Sequence, residues 1–234
     1  MRFVYILIFI SNYCFAGSYH FVSINNLIEQ EIGRIILPEI YEKLDIPITI
    51  TPLPGKRAQY EATSGASDGE IMRIFTYGIE NPNMIRVPTP YYSLETMAFI
   101  RKDSNIIINN KEDLKSYKIV KVRGVKHTNN ITRGLENLVD LNSTKQIMKF
   151  LDKGRADIAL TNTVDGIMTI KELNLINIQA ISQPLARLQL FHYIHNNHQD
   201  LVPKVDNVIK EMKDSGELDR LIQDAETAVI DGRH

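Results

Sequence analysis

Charged side chains set inside an apolar run are the first feature of this sequence that suggests chemistry. From Gly69 to Phe75 the chain reads GEIMRIF, with the content of a β-strand broken by the acid Glu70 and the guanidinium of Arg73. A buried carboxylate or guanidinium costs several kcal/mol unless it is paired or faces a polar cavity. Arg73 is therefore a candidate to grip a ligand carboxylate or sulfonate in bidentate fashion, the alternative being a structural salt bridge with Glu70. Regular strand alternation puts the two on opposite faces, so that pairing needs an irregular turn. Glu70 is either structural or lines the same cleft.

Arg57, in PGKRAQY, opens a helix just after a strand, where a cation is unfavourable and calls for a bound anion or a neighbouring carboxylate. His192, His195 and His198 recur at threefold spacing, but a strand points the first two to opposite faces and no Cys or carboxylate cluster joins them, so no metal is expected. Neither a nucleophile elbow nor a metal motif nor a phosphate loop is present.

These residues must be held by alternating strand-like and helix-like stretches, the pattern of an α/β fold with a largely parallel sheet. Tyr19 to Ile24 reads as a first strand. Leu27 to Leu44 reads as a helix, capped by Asn26 and bent at Pro38. A helix from Gly55 to Gly65 leads into the Gly69 to Phe75 strand. A second unit of the same order starts with Ser143 and Gln146 at capping-box spacing and ends in the strand Ile158 to Thr161. Two extended runs, near Thr96 to Lys102 and Leu188 to Asn196, are expected to cross between two lobes whose sheets are separate. Helices from Leu201 to Met212 and from Glu217 then return to the first lobe. The resulting divisions are 17–96 and 191–234 for the first lobe and 97–190 for the second, with a cleft between them for a small molecule.

The stretches IYEKLDIPITITPLPGKRAQYEATSGASDGEIMRI, RVPTPYYSLETMAFIRK, KIVKVRGVKH, FLDKGRADIAL and NNHQDLVPKVDNVIKEMKDSGELDRLI carry a resemblance to the bacterial extracellular solute-binding proteins of family 3, the smaller two-lobed class that includes amino-acid binders. The resemblance covers about Ser18 to Ile222. It implies the type II periplasmic-binding-protein fold, in which two lobes close on two hinge strands over a solute. It further implies that backbone donors and a side chain follow the strand in KVRGVKH, so Gly124 would admit close approach of a ligand while Arg123 and Lys126 add positive charge. Tyr91 and Tyr92, beside the hinge, either stack on the ligand or pack. In the family an arginine after the first-lobe strand and an aspartate after the GRAD strand grip an amino acid. Here the loop YGIENPN has no arginine, and the aspartate position is Asn162, with Asp165 close by.

The ligand expected from Arg57, Arg73, Arg123 and Lys126 is a small anionic or zwitterionic molecule, with Glu70 the only nearby acid. No cofactor is called for. The same fold hosts dehydratase chemistry, for which Glu70 would be the one evident acid or base, and a stand-alone sensory module is a further class. The net charge of −1 offers no general attraction to nucleic acid or to an anionic membrane. The expected role is that of a monomer serving an inner-membrane transporter or receptor from the periplasm. Arg2, the apolar run Phe3 to Ile10 and Cys14-Phe15-Ala16 follow the order of a secretory leader cut after Ala16. Intact-mass measurement on exported protein is expected to give a chain starting at Gly17; a mass that still includes Met1 refutes this.

Overall fold

A computed structural model describes residues 18–232, so the expected leader and Cys14 lie outside the described residues. Strand β1 (Tyr19–Ile24) is followed by α1 (Ile28–Glu42), which buries Ile32, Ile36, Leu37 and Ile40 as one stripe. Asn26 does not cap it: Asn26 sits at φ +57 in the turn, Leu27 takes the cap position without a side-chain bond, and the helix runs on through Pro38. Next come β2 (Ile48–Leu53), α2 (Gly55–Thr63), β3 (Gly69–Ile74), the single turn α3 (Tyr77–Glu80), β4 (Met84–Arg86) and the long β5 (Tyr92–Arg101). A 3-10 turn at Lys111–Ser116 leads to β6 (Ile119–Val122), α4 (Lys126–Ile131), β7 (Leu138–Leu141), α5 (Thr144–Asp152), β8 (Ile158–Asn162), α6 (Thr163–Glu172), β9 (Ile178–Ala180) and β10 (Ala186–His195). The chain ends in α7 (Val202–Asp214) and α8 (Glu217–Ile230). At α5 the Ser143 hydroxyl accepts from Gln146 N at 3.3 Å, while Gln146 Oε1 accepts from Asn142 N, one residue earlier than a capping box requires.

The strands run in the order β2-β1-β3-β10-β5-β8-β6-β7, with β4 beside β10 and β9 beside β5. Within each end the pairing is parallel (β1 with β2 and β3; β6 with β7 and β8), and the long strands β5 and β10 are antiparallel to their neighbours. Strand β10 pairs with β5 over Ala186–Leu190 and then with β3 from Leu190 onward; β5 leaves β10 at Thr96 and takes up β8 from the same residue. The expectation of separate sheets for Gly69–Phe75 and Ile158–Thr161 is therefore corrected: because the two crossing strands also pair with each other, β3 and β8 belong to one hydrogen-bonded sheet. Four buried apolar clusters nevertheless form among the described residues. Of the two largest, the first joins α1, α7 and α8 to β1 and β3, and the second joins α5 to β6 and β8. Val164 and Met168 of α6 pack into the first.

A bulge in β3 answers the question of Glu70 and Arg73. Arg73 pairs with Phe191 and Glu70 with Tyr193, so three steps on β3 oppose two on β10. The extra residue cancels the alternation and brings both charges to one side. Glu70, 1% exposed, accepts from Arg73 Nε at 2.5 Å and from Nη2 at 3.1 Å, and the Tyr77 hydroxyl donates to it as well. The guanidinium lies over the Tyr77 ring, 4.6 Å from its centre. Bulged backbone leaves carbonyls to be satisfied from outside the ladder. Three consecutive ones are: Glu70 O accepts from His192 Nδ1 at 2.9 Å, Ile71 O from the Tyr91 hydroxyl at 2.7 Å and Met72 O from Gln30 Nε2 at 2.8 Å. Since a carbonyl only accepts, His192 carries its proton on Nδ1, and the Tyr41 hydroxyl donates to its Nε2 at 2.8 Å. Gly69 permits the approach of β10 beside the bulge, because a Cβ there would lie 2.1 Å from Tyr193 O.

Two outcomes follow for stability. Arg73→Ala leaves the Glu70 carboxylate buried without its counterion, at a cost of about 3 kcal/mol given the partial exposure of Arg73, which lowers the melting midpoint of a chain this size by roughly 6–12 °C; calorimetry of the ligand-free variant checks it, and an unchanged midpoint refutes it. His192 is held neutral, its pKa pushed down to about 4 by burial. A folded-state value below the unfolded one means the unfolded chain binds the extra proton, so stability is lost as pH falls from about 6.5 to about 4, at about 1.4 kcal/mol per pH unit. Denaturant titrations at pH 7.0, 5.5 and 4.5 should show that slope reduced by this amount in His192→Gln.

Candidate ligand-binding cleft

In open α/β sheets ligands bind beyond the carboxyl ends of the strands. Here the ends of β1, β3, β6 and β8 meet around one cavity of about 570 Å³. One wall is the β1–α1 turn, with Asn26, Leu27, Ile28 and Glu29, joined by Ile74 at the end of β3. The floor is made by the crossing strands through Leu94, Leu188 and Leu190. The opposite wall carries Val122, Val125, Lys126, His127 and Asn130 after β6, Thr144 at the start of α5, and Thr161, Asn162 and Asp165 around the β8–α6 junction. One side of the space is thus mostly apolar and the other mostly polar, which suits an amphipathic small molecule.

The polar wall is organised by helix starts. Asn162 caps α6, its Oδ1 accepting from Val164 N at 2.8 Å and Asp165 N at 3.3 Å. Asp165 Oδ2 accepts from the hydroxyls of Thr144 at 2.5 Å and Thr161 at 3.0 Å, two elements fixing one carboxylate. His127 Nδ1 is 2.8 Å from Thr96 Oγ1 on β5. Burial pushes the His127 pKa down to about 4 against the opposing charge of Asp165, so the ring is neutral at pH 7. Across the cavity, burial raises the pKa of Glu29, and the charge of Asp165 adds to the rise. No group of three or more potential metal ligands occurs among the described residues.

Of the nine residues singled out in the sequence, Lys126 and Asn162 line this cavity. Arg73 and Glu70 are turned onto each other by the β3 bulge and do not line it, so of the two readings offered for Arg73 the salt bridge with Glu70 is found in place of the ligand-gripping guanidinium. Tyr91 is spent on the bulge carbonyl of Ile71 and is buried in the core. Tyr92 donates to Glu226 of α8 at 2.9 Å and lines a separate cavity of about 310 Å³ behind the crossing strands, between α6 and α8. The compensating group for Arg57 is the neighbouring carboxylate, Glu61 at 2.6 Å, one helical turn on. Arg123 is exposed and reaches Asp140 O at 3.3 Å, and Gly124 turns beside it at φ +79. Glu29, His127, Thr144 and Thr161 were missed. The carboxyl-end rule applied to the first strand points to Asn26–Glu29, and the cap at Ser143 points to Thr144.

No family model matches the chain. An uncharacterised protein of Shewanella oneidensis is 29% identical over 187 residues, 76% of this chain and 70% of its own length. Among solved structures, an ancestral cationic amino-acid solute-binding protein superposes with a TM-score of 0.70 at 16% identity, covering 89% of this chain and 95% of that one. A histidine kinase sensor domain with similarity to periplasmic binding proteins gives a TM-score of 0.60 at 17% identity, covering 87% and 93%. With its two crossing strands, its paired cores and these neighbours, the chain has the two-lobed type II periplasmic-binding-protein fold.

Proposed function

We propose that this chain is a solute-binding protein that captures a small, amino-acid-like polar solute between its lobes, residues 17–96 with 191–234 on one side and 97–190 on the other, and presents it to a membrane transporter outside the cytoplasmic membrane. The observation that carries the reading is the cavity where strand ends of both lobes meet on a floor of two continuous crossing strands. Such a site needs no bond-making step. Contacts made to both walls at once favour the closed state, and that difference in affinity is what drives closure. Lys126 and Asn162 remain contacts for the ligand, joined by Glu29, Thr144, Thr161 and Asp165. With Arg57 and Arg73 each tied to a carboxylate, a zwitterion suits the cavity better than an anion.

Location outside the membrane rests on the leader-like residues 1–16; no helix among the described residues is long and apolar enough to cross a bilayer. The sensor-domain neighbour supports a second reading, in which the same closure reports the solute to a receptor.

A thermal-shift screen of amino acids, organic acids, sulfonates, polyamines and sugars tests the binding reading. A ligand at a hundredfold excess over its dissociation constant stabilises by about 2.7 kcal/mol, which corresponds to a rise of about 5–10 °C in the midpoint. Small-angle scattering should show the radius of gyration falling with the same compound. A screen in which no class moves the midpoint overturns the reading.

A further inference from the structure

We infer that the solute carries a bulky apolar body, branched aliphatic or aromatic, which lies on the crossing strands, and that Leu188 selects for it. The inference rests on the binding reading above, keeps the polar, amino-acid-like head of that reading, and names the class of side chain the ligand bears.

Large apolar side chains left open to water are ordinary when scattered and informative when they gather in one concave place. Three of them gather in the cleft cavity: Leu27 at 38% exposure, Ile74 at 37% and Leu188 at 41%. They come from different elements, the β1–α1 turn, the end of β3 and the crossing strand β10. Leu188 stands opposite Leu94 in the register of β10 with β5, and Leu190 stands opposite Ile74 in the register of β10 with β3. Two residues apart on one strand, Leu188 and Leu190 share a face, so the four side chains form one apolar surface across β3, β10 and β5.

The polar side chains of the same strand have gone the other way. Arg187 pairs with Glu95 at 2.9 Å and lines the smaller cavity on the opposite side of the crossing strands. A strand face that meets only water ordinarily carries polar residues. A leucine on the open face, with an arginine turned away from it, marks a surface that is covered by something other than the chain.

This floor offers no side-chain hydrogen bond. A charged or amide side chain laid on it loses hydration without gaining a partner, whereas an apolar one gains about fourfold in affinity for each methylene buried. Val122, at the end of β6, and Val125, just before α4, face the same space from the second lobe. Leu27 and Ile74 face it from the first. The apolar area buried on the ligand therefore grows as the lobes approach, and burial of its body itself favours the closed state.

Titration calorimetry of the exported form with pairs matched in size decides the matter: leucine against asparagine, methionine against glutamine, and norleucine against lysine. The apolar member of each pair should bind at least about tenfold more tightly, and leucine, 2-aminobutyrate and alanine should form a series that weakens about fourfold per carbon removed. Leu188→Thr retains a residue suited to strands. It should weaken leucine and methionine by about tenfold and leave asparagine unchanged, with the ligand-free midpoint level because the side chain is already open to water. A Leu188 that merely packed would melt early on this substitution and leave the ratio of leucine to asparagine as it was, and that result overturns the inference. So does tighter binding of the polar members, or a thermal-shift hit confined to sugars, sulfonates or polyamines, either of which leaves the solute-binding reading standing. Failure of every probe, together with a blank thermal-shift screen, removes both.

Discussion

The extra residue in β3 is the constraint around which the first lobe is arranged. A bulge breaks a ladder and turns side chains out of alternation, and here each consequence is met by a particular group. Glu70 and Arg73 arrive on one side and bind each other, with Tyr77 completing the carboxylate. The carbonyls of Glu70, Ile71 and Met72 draw in His192 from β10, Tyr91 from the approach to β5 and Gln30 from α1. One irregular position thus ties three elements distant in sequence, and it does so largely through neutral hydrogen bonds whose partners are buried. Removing a partner is costly there because the orphaned group stays out of water.

The pairing between β5 and β10 plays the corresponding part for the molecule as a whole. Strand β5 passes from the first core at Tyr92 and Leu94 to the second at Met97 and Phe99, β10 enters the first core at Leu190, and the change of partner falls at Thr96 and Leu190. The cavity floor is built from these strands, so the residues that connect the lobes are also residues that a bound solute would touch. Thr96 shows the economy of this layout, since its hydroxyl also fixes the His127 ring.

The alternation of elements was legible because helix and strand periods differ along the chain, and the helices at Gly55, Ser143, Leu201 and Glu217 all have counterparts in the structure. The site was legible only in part. Arg73 drew attention for a sound reason, a charge inside an apolar strand, but its partner was three residues away in the same strand, and a bulge is not written in periodicity. For Tyr91 the packing alternative holds, its hydroxyl going to the bulge carbonyl of Ile71. Glu29 and Thr144 stayed hidden because an acid or a threonine in the first turn of a helix is an ordinary occupant of that position, and only the convergence of strand ends shows which helix starts face a cavity. Asn162 was found through the resemblance, and its role as the cap of α6 came from the structure.

Helix α6 lies in sequence within the second lobe, yet Val164 and Met168 are part of the first core, and Lys171 reaches Asp231 beyond α8 at 2.6 Å. On its other side Gly166 lies against the ring of Phe99 on β5, where any Cβ would collide. The helix is pressed between two bodies with no slack on either face. Hinged opening that swung α6 away from α8 would therefore pull the Val164 and Met168 side chains out of a packed interior and part Lys171 from Asp231.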